Sequence, residues 1–182
     1  MEAVIKQKKE LPKAGVNVSY SPDSIYRQYH KNVHNYIAFR INNHHDAEEL
    51  TSDVFVKAML DLKNYNDAFP MEAWLIGIAK NTVTDYLRRT MKRQFISLDG
   101  IVSLISRNKQ PEDIVVINEE KRQLIKAMSM LRDKERQILS MKFATELKHS
   151  EIAEILKISE SHVGVTAHRA VNKLKKLYEE DA

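Results

Sequence analysis

His30 and His34 stand four residues apart, and His44 and His45 are adjacent. Two imidazoles one helical turn apart can share a metal ion. A third ligand and an acid to orient the imidazoles are not evident nearby, so these read as surface histidines. His149-Ser150-Glu151 resembles the opening of a zinc deaminase motif. That chemistry needs cysteine ligands, and the chain has none. No Gly-rich phosphate turn and no nucleophile elbow is present. The residue types therefore point away from catalysis, and no metal or cofactor is expected.

A second kind of chemistry is better represented. Asn81, Asp85, Arg88 and Lys92 are spaced four, three and four, and Lys80, Arg89 and Arg93 add charge beside them. His162, Thr166, Arg169 and Lys173 repeat the same spacing. Residues so spaced share one helix face. Lysine and arginine neutralise phosphates, while arginine, asparagine and hydroxyl groups reach base edges. Against these stands an acidic cluster at Asp46, Glu48, Glu49 and Asp53. One reading is a solvated bundle whose charges compensate helix dipoles. The sharper reading is two surfaces for two different partners.

These residues must be carried by helices. Ile25, Tyr29, Val33, Tyr36, Ile37 and Ile41 recur at spacings of three and four. Asp46 is expected to cap a second helix with the stripe Ala47, Leu50, Val54, Phe55, Ala58, Met59 and Leu62. Lys63 to Pro70 is a loop, and a third helix follows with Met71, Trp74, Leu75, Ile78, Ala79, Thr82, Tyr86 and Leu87 inward. Trp74 lies in that apolar stripe and belongs to the core. Residues 97–118 carry Gly100 and Pro111 without a clear period and read as a linker. Four helical segments follow, near 112–130, 134–143, 148–156 and 161–178.

The last two form a helix-turn-helix, roughly Lys148 to Lys176. Ala153 lets a second helix cross closely, and Ile158-Ser159-Glu160 makes the turn. Val163, Ala167, Ala170, Val171, Leu174 and Leu177 face inward and leave the polar face free for a major groove. The alternative is an ordinary helical hairpin with a solvated basic face.

Composition agrees. Hydrophobic residues make up 43% of the chain, enough for a buried core. With only 4 Gly and 4 Pro, a helical fold is favoured over one rich in tight turns. The net charge of +4 is compatible with a polyanionic partner. No apolar run approaches the ~20 residues of a membrane span, and the N-terminus lacks the apolar stretch of a secretory signal. A cytoplasmic protein without direct membrane insertion is expected, with residues 1–21 as a flexible arm.

The order of DAEELTSDVFVKAM, AWLIGIAKNTVTDYLRR, LRDKERQILSMKF and EIAEILKISESHVGVTAHRAVNKLKK resembles a bacterial RNA polymerase sigma factor. The likeness is to the two-domain extracytoplasmic-function group and covers about Ser24 to Tyr178. It implies an all-α fold of two small helical domains, 22–96 and 119–182, joined by a linker at 97–118. It implies no enzymatic activity, and partners in core polymerase, both its beta-prime clamp and beta subunit, in promoter DNA and in an anti-sigma factor. Core binding would fall to Asp46, Glu49, Leu50, Asp53 and Phe55. Recognition and melting of the −10 element would fall to Tyr65, Asn66, Phe69, Lys80, Asn81, Asp85, Arg88, Arg89 and Lys92. Of these, Asp85 would shape the site, because a carboxylate repels phosphate. The −35 element would fall to His162, Thr166, His168, Arg169 and Lys173. The chain departs from the family pattern at Ser52, at Lys148 and at Gly164-Val165-Thr166, where basic and hydroxyl residues are usual. The competing readings are a helix-turn-helix regulator with an N-terminal dimerisation or sensor bundle, and a nucleic-acid enzyme.

Overall fold

The structure, a computed structural model, describes residues 21–41, 43–96 and 119–179. The expected arm, apart from Ser21, and the expected linker lie outside these residues. All regular structure among the described residues is helical. Helix α1 spans Pro22–Arg40, α2 His44–Asp61, α3 Met71–Ile96, α4 Glu119–Ser129, α5 Asp133–Ala144, α6 His149–Leu156 and α7 Glu160–Glu179.

The helix starts follow from local chemistry. Ser21 caps α1, its hydroxyl accepting the Ser24 N–H at 3.1 Å, and Pro22 sits where no amide donor is needed. Helix α2 begins three residues before the expected point. Asn43 is its cap, accepting the Asp46 N–H at 3.1 Å, so Asp46 lies in the first turn and its carboxylate is free for other work. A single 3-10 turn, Leu62–Asn64, follows α2. At α6 the Glu151 carboxylate reaches back to the Lys148 N–H at 2.7 Å. This reciprocal half of a capping box serves in place of the usual hydroxyl cap.

Helices α1, α2 and α3 pack around Val33, Ile37, Val54, Leu75 and Ile76, all buried. Helices α4 to α7 close around Met128, Ile138, Leu139, Ile152 and Val163. The two groups also meet, since α1 lies along α5 and α3 touches α6. At that seam the buried Arg40 guanidinium donates to the Asp133 carboxylate at 2.7 Å and to its carbonyl at 3.2 Å. Tyr36 is fully buried one turn earlier, and burial pushes its hydroxyl pKa up to about 12.

Candidate nucleic-acid interface

Helix α3 is turned from the expected stripe: Trp74, Ile78, Tyr86 and Leu87 are only half-buried, while Ile76 and Val83 join the core. Leu75, Ile76, Ala79 and Val83 are buried, while Asn81, Asp85, Arg88 and Arg89 are exposed. The Asp85 carboxylate bridges to Arg88 at 3.2 Å, and its carbonyl accepts from Arg89 at 3.3 Å. Asp85 thus orients the two guanidiniums. The side chain of Lys92 lies outside the described residues. Lys57 joins the group from α2, its ammonium donating to the Thr82 hydroxyl at 3.0 Å. Lys57, Asp85, Arg88 and Arg89 line a shallow surface cavity of about 380 Å³. The basic surface therefore crosses from α3 onto α2, which the four-three-four spacing along one helix cannot reveal.

The loop before α3 is more ordered in itself than its sequence implies. The Tyr65 ring lies 5.1 Å from Trp74, and its hydroxyl donates to the Phe69 carbonyl at 2.6 Å. Both Tyr65 and Phe69 are half-buried against the core. Asn66 is exposed, its side-chain oxygen turned back to accept the Ala68 N–H at 3.0 Å. Lys80 is not open to solvent alone: its ammonium reaches the Ile155 carbonyl at the end of α6, at 3.4 Å.

The acidic helix α2 corrects one expectation. Leu50 and Phe55 are buried, 4% and 5% exposed, so they hold the helix to its neighbours and present no surface to a partner. Asp46 is half-buried and accepts a short hydrogen bond from the Tyr86 hydroxyl. Among the residues α2 exposes, Glu49, Asp53, Val56 and Leu60 form one stripe, again four, three and four apart. Val56 and Leu60 are 59% and 76% exposed, and sequence reasoning missed both. The signal was available: they continue the register of the two acids.

On α7 the buried seam is Val163, Ala167, Ala170 and Leu174, as expected. Val171 and Leu177 are only half-buried. The outward face is rotated by about one residue, roughly 100°, from the expected stripe. Its centre is Ser161, Val165, His168 and Asn172, all exposed, with His162 and Arg169 exposed at its edge. Thr166 and Lys173 are half-buried, because α7 leans on α5 along that side. Lys173 is spent there in an ion pair with Glu135 at 3.3 Å. Desolvation opposes ionisation of Glu135, but the Arg132 N–H and the Lys173 ammonium hold its carboxyl below the ordinary range. Lys173 is therefore removed from the free basic face. Ser159 fixes the start of α7 by accepting the His162 N–H at 3.2 Å.

The histidines gather but form no metal centre. His30 stacks near His34 at 6.0 Å, and His34 meets His44 at 5.9 Å between ring centroids. Among the described residues no group of three or more metal-ligating side chains converges.

A compact helical group with a basic helix, followed by a helix-turn-helix, is thus on hand. The family model for Sigma-70 region 2 matches residues 25–93, and that for Sigma-70, region 4, matches residues 121–174. The chain is 33% identical over 157 residues to the RNA polymerase sigma factor YlaC of Bacillus subtilis, covering 86% of this chain and 91% of YlaC. The chain belongs to the extracytoplasmic-function sigma factors. The ECF RNA polymerase sigma factor SigM of the same organism is also 33% identical over 157 residues, covering 86% of this sigma factor and 94% of SigM. In fold it is similar to the sigma factor RpoE of Bartonella quintana, solved with the anti-sigma factor NepR. That likeness has a TM-score of 0.70 at 17% identity and covers 88% of this chain and 98% of that one. It is also similar in fold to CnrH, solved with the cytosolic domain of CnrY, with a TM-score of 0.61 at 19% identity.

Proposed function

We propose that this sigma factor joins core RNA polymerase through α2 and directs initiation by reading two promoter elements, one with each helical group. The observation that carries this reading is the pairing of two chemically opposite surfaces in one chain. Helix α2 offers acids and exposed aliphatics, while α3 and α7 offer cations and hydrogen-bonding groups. DNA repels the first surface and attracts the second, so the first is suited to a protein partner.

Residues 22–96 form the unit that binds polymerase and opens the −10 element. Glu49, Asp53, Val56 and Leu60 make the contact with core. Asn81, Arg88 and Arg89, with Lys57, hold the −10 strand, Asp85 orients the guanidiniums, and Tyr65, Asn66 and Phe69 flank an extruded base. Residues 119–182 form the −35 unit, with His162, His168 and Arg169 on its exposed face. The chain is an initiation factor and the polymerase carries out the chemistry. The regulator reading is not favoured, since it gives the Glu49–Leu60 stripe no task. The complex of RpoE with the anti-sigma factor NepR supports an anti-sigma protein as a further partner.

Charge reversal at Glu49 and Asp53 tests the central claim. The double variant is expected to fold normally, lose at least tenfold in affinity for core polymerase and give no new transcript starts on genomic DNA. Undiminished binding to core would overturn the assignment of α2.

A further inference from the structure

We propose that Val165 reads a thymine methyl group in the −35 element, so that this chain takes part of its promoter specificity from an apolar contact. This deepens the promoter-reading role above and rests on it. Val165 lies in the second turn of α7, in the N-terminal half that a recognition helix turns toward base edges. The buried seam of α7 runs through Val163, Ala167 and Ala170, which places Val165 at the centre of the opposite face. It is 48% exposed. Every other exposed residue of α7 among the described ones carries a polar or charged side chain.

An isopropyl group can neither give nor accept a hydrogen bond. Set against a base amine, carbonyl or ring nitrogen, it would leave that group without water or partner, at a cost. The major groove offers one apolar feature on a base edge, the C5-methyl of thymine. Valine suits it, because branching at Cβ holds the two methyls in one rotamer on a helix. The preceding residue lowers the obstacle. Gly164 has no side chain, and a Cβ there would stand only 3.7 Å from His149 Nδ1, an ordinary contact. Steric exclusion therefore does not demand glycine at 164.

The test uses the full chain in holoenzyme. Start sites are mapped with reconstituted holoenzyme on genomic DNA, and duplexes bearing the recovered −35 element are remade with deoxyuridine replacing one thymine at a time. Each such change removes one methyl and no hydrogen-bonding group. At one position the wild-type holoenzyme should lose about fourfold in binding, the value of one buried methyl. Val165→Ser should bind the thymine and uracil duplexes alike, with unchanged thermal stability, since the site is on the surface. The proposal is overturned if no −35 thymine methyl matters to the wild type, or if Val165→Ser keeps the full penalty. Holoenzyme that starts nowhere would instead overturn the promoter-reading role, so the two failures are distinct.

Discussion

Tyr36 touches no partner-facing surface, yet it governs how the protein meets alkali. Burial in the seam beside Arg40 and Asp133 raises its pKa from an ordinary 10.0 to about 12. The neutral phenol is thus favoured in the fold, and its contribution is whole below pH 10. It is lost as pH climbs through about 12, amounting to about 2–3 kcal/mol. Denaturant melts between pH 9 and 12 should show the wild type weakening more steeply than Tyr36→Phe, and parallel curves would contradict the assignment. Its inward position was legible from the period of Ile25, Val33 and Ile37. Leu50 and Phe55 show where single residues mislead. A motif position tells that a residue belongs to a binding helix, but only packing tells which side of that helix it faces. Lys173 teaches the same lesson, since its partner Glu135 lies 38 residues away.

Among the elements, helix positions were legible because each helix buries one stripe of a 3.6-residue period. Ends were less so, because Asn43 and Asp46 are both good caps and only the backbone chooses between them. The turn of the helix-turn-helix lies one residue earlier than its sequence suggests, at Lys157–Ser159. Lys157 closes α6 in the left-handed region at φ 55° and is the only non-glycine residue there among those described. Its N–H returns to the carbonyls of Ala153 and Glu154. Lysine pays a steric cost at that dihedral that glycine avoids. Lys157→Gly should therefore stabilise the fold by about 0.5–1 kcal/mol, a rise of roughly 1–4 °C in Tm by calorimetry. A lower Tm would mean that the lysine side chain holds the turn by another route.

For the whole molecule, the packing of the two helical groups matters most. Elements at −35 and −10 lie about 25 base pairs apart, or about 85 Å at ~3.4 Å per pair. A compact chain of this length has a radius of gyration of about 16 Å. Reading both elements together therefore requires the α1–α5 seam to part. Arg40 and Asp133 attract across it. On α3, burial raises the Glu72 pKa, hydrogen bonds from Asn32 and the Glu146 backbone favour its ionised form, and the charges of Glu146 and Glu151 oppose it. Asp133→Ala takes the carboxylate from the buried Arg40, which keeps the carbonyl of residue 133, and is expected to cost the packed arrangement about 1–3 kcal/mol, less than a fully buried pair because Asp133 is 65% exposed. Distances between fluorophores on α2 and α7 should lengthen in this variant, and an unchanged distance would show that the apolar contacts alone hold the seam.

The amino-acid sequence by itself determined the helical class, the two helical groups and the helices that carry charge, because periodicity and charge order are local properties of a chain. Tertiary structure decided what depends on residues far apart in sequence. It rotated the exposed face of α7 toward Val165 by docking that helix on α5. It drew Lys57 into the basic surface, and it withdrew Lys80 and Lys173 from open solvent. Neither a period nor a motif records such pairings, since each arises only when two helices meet.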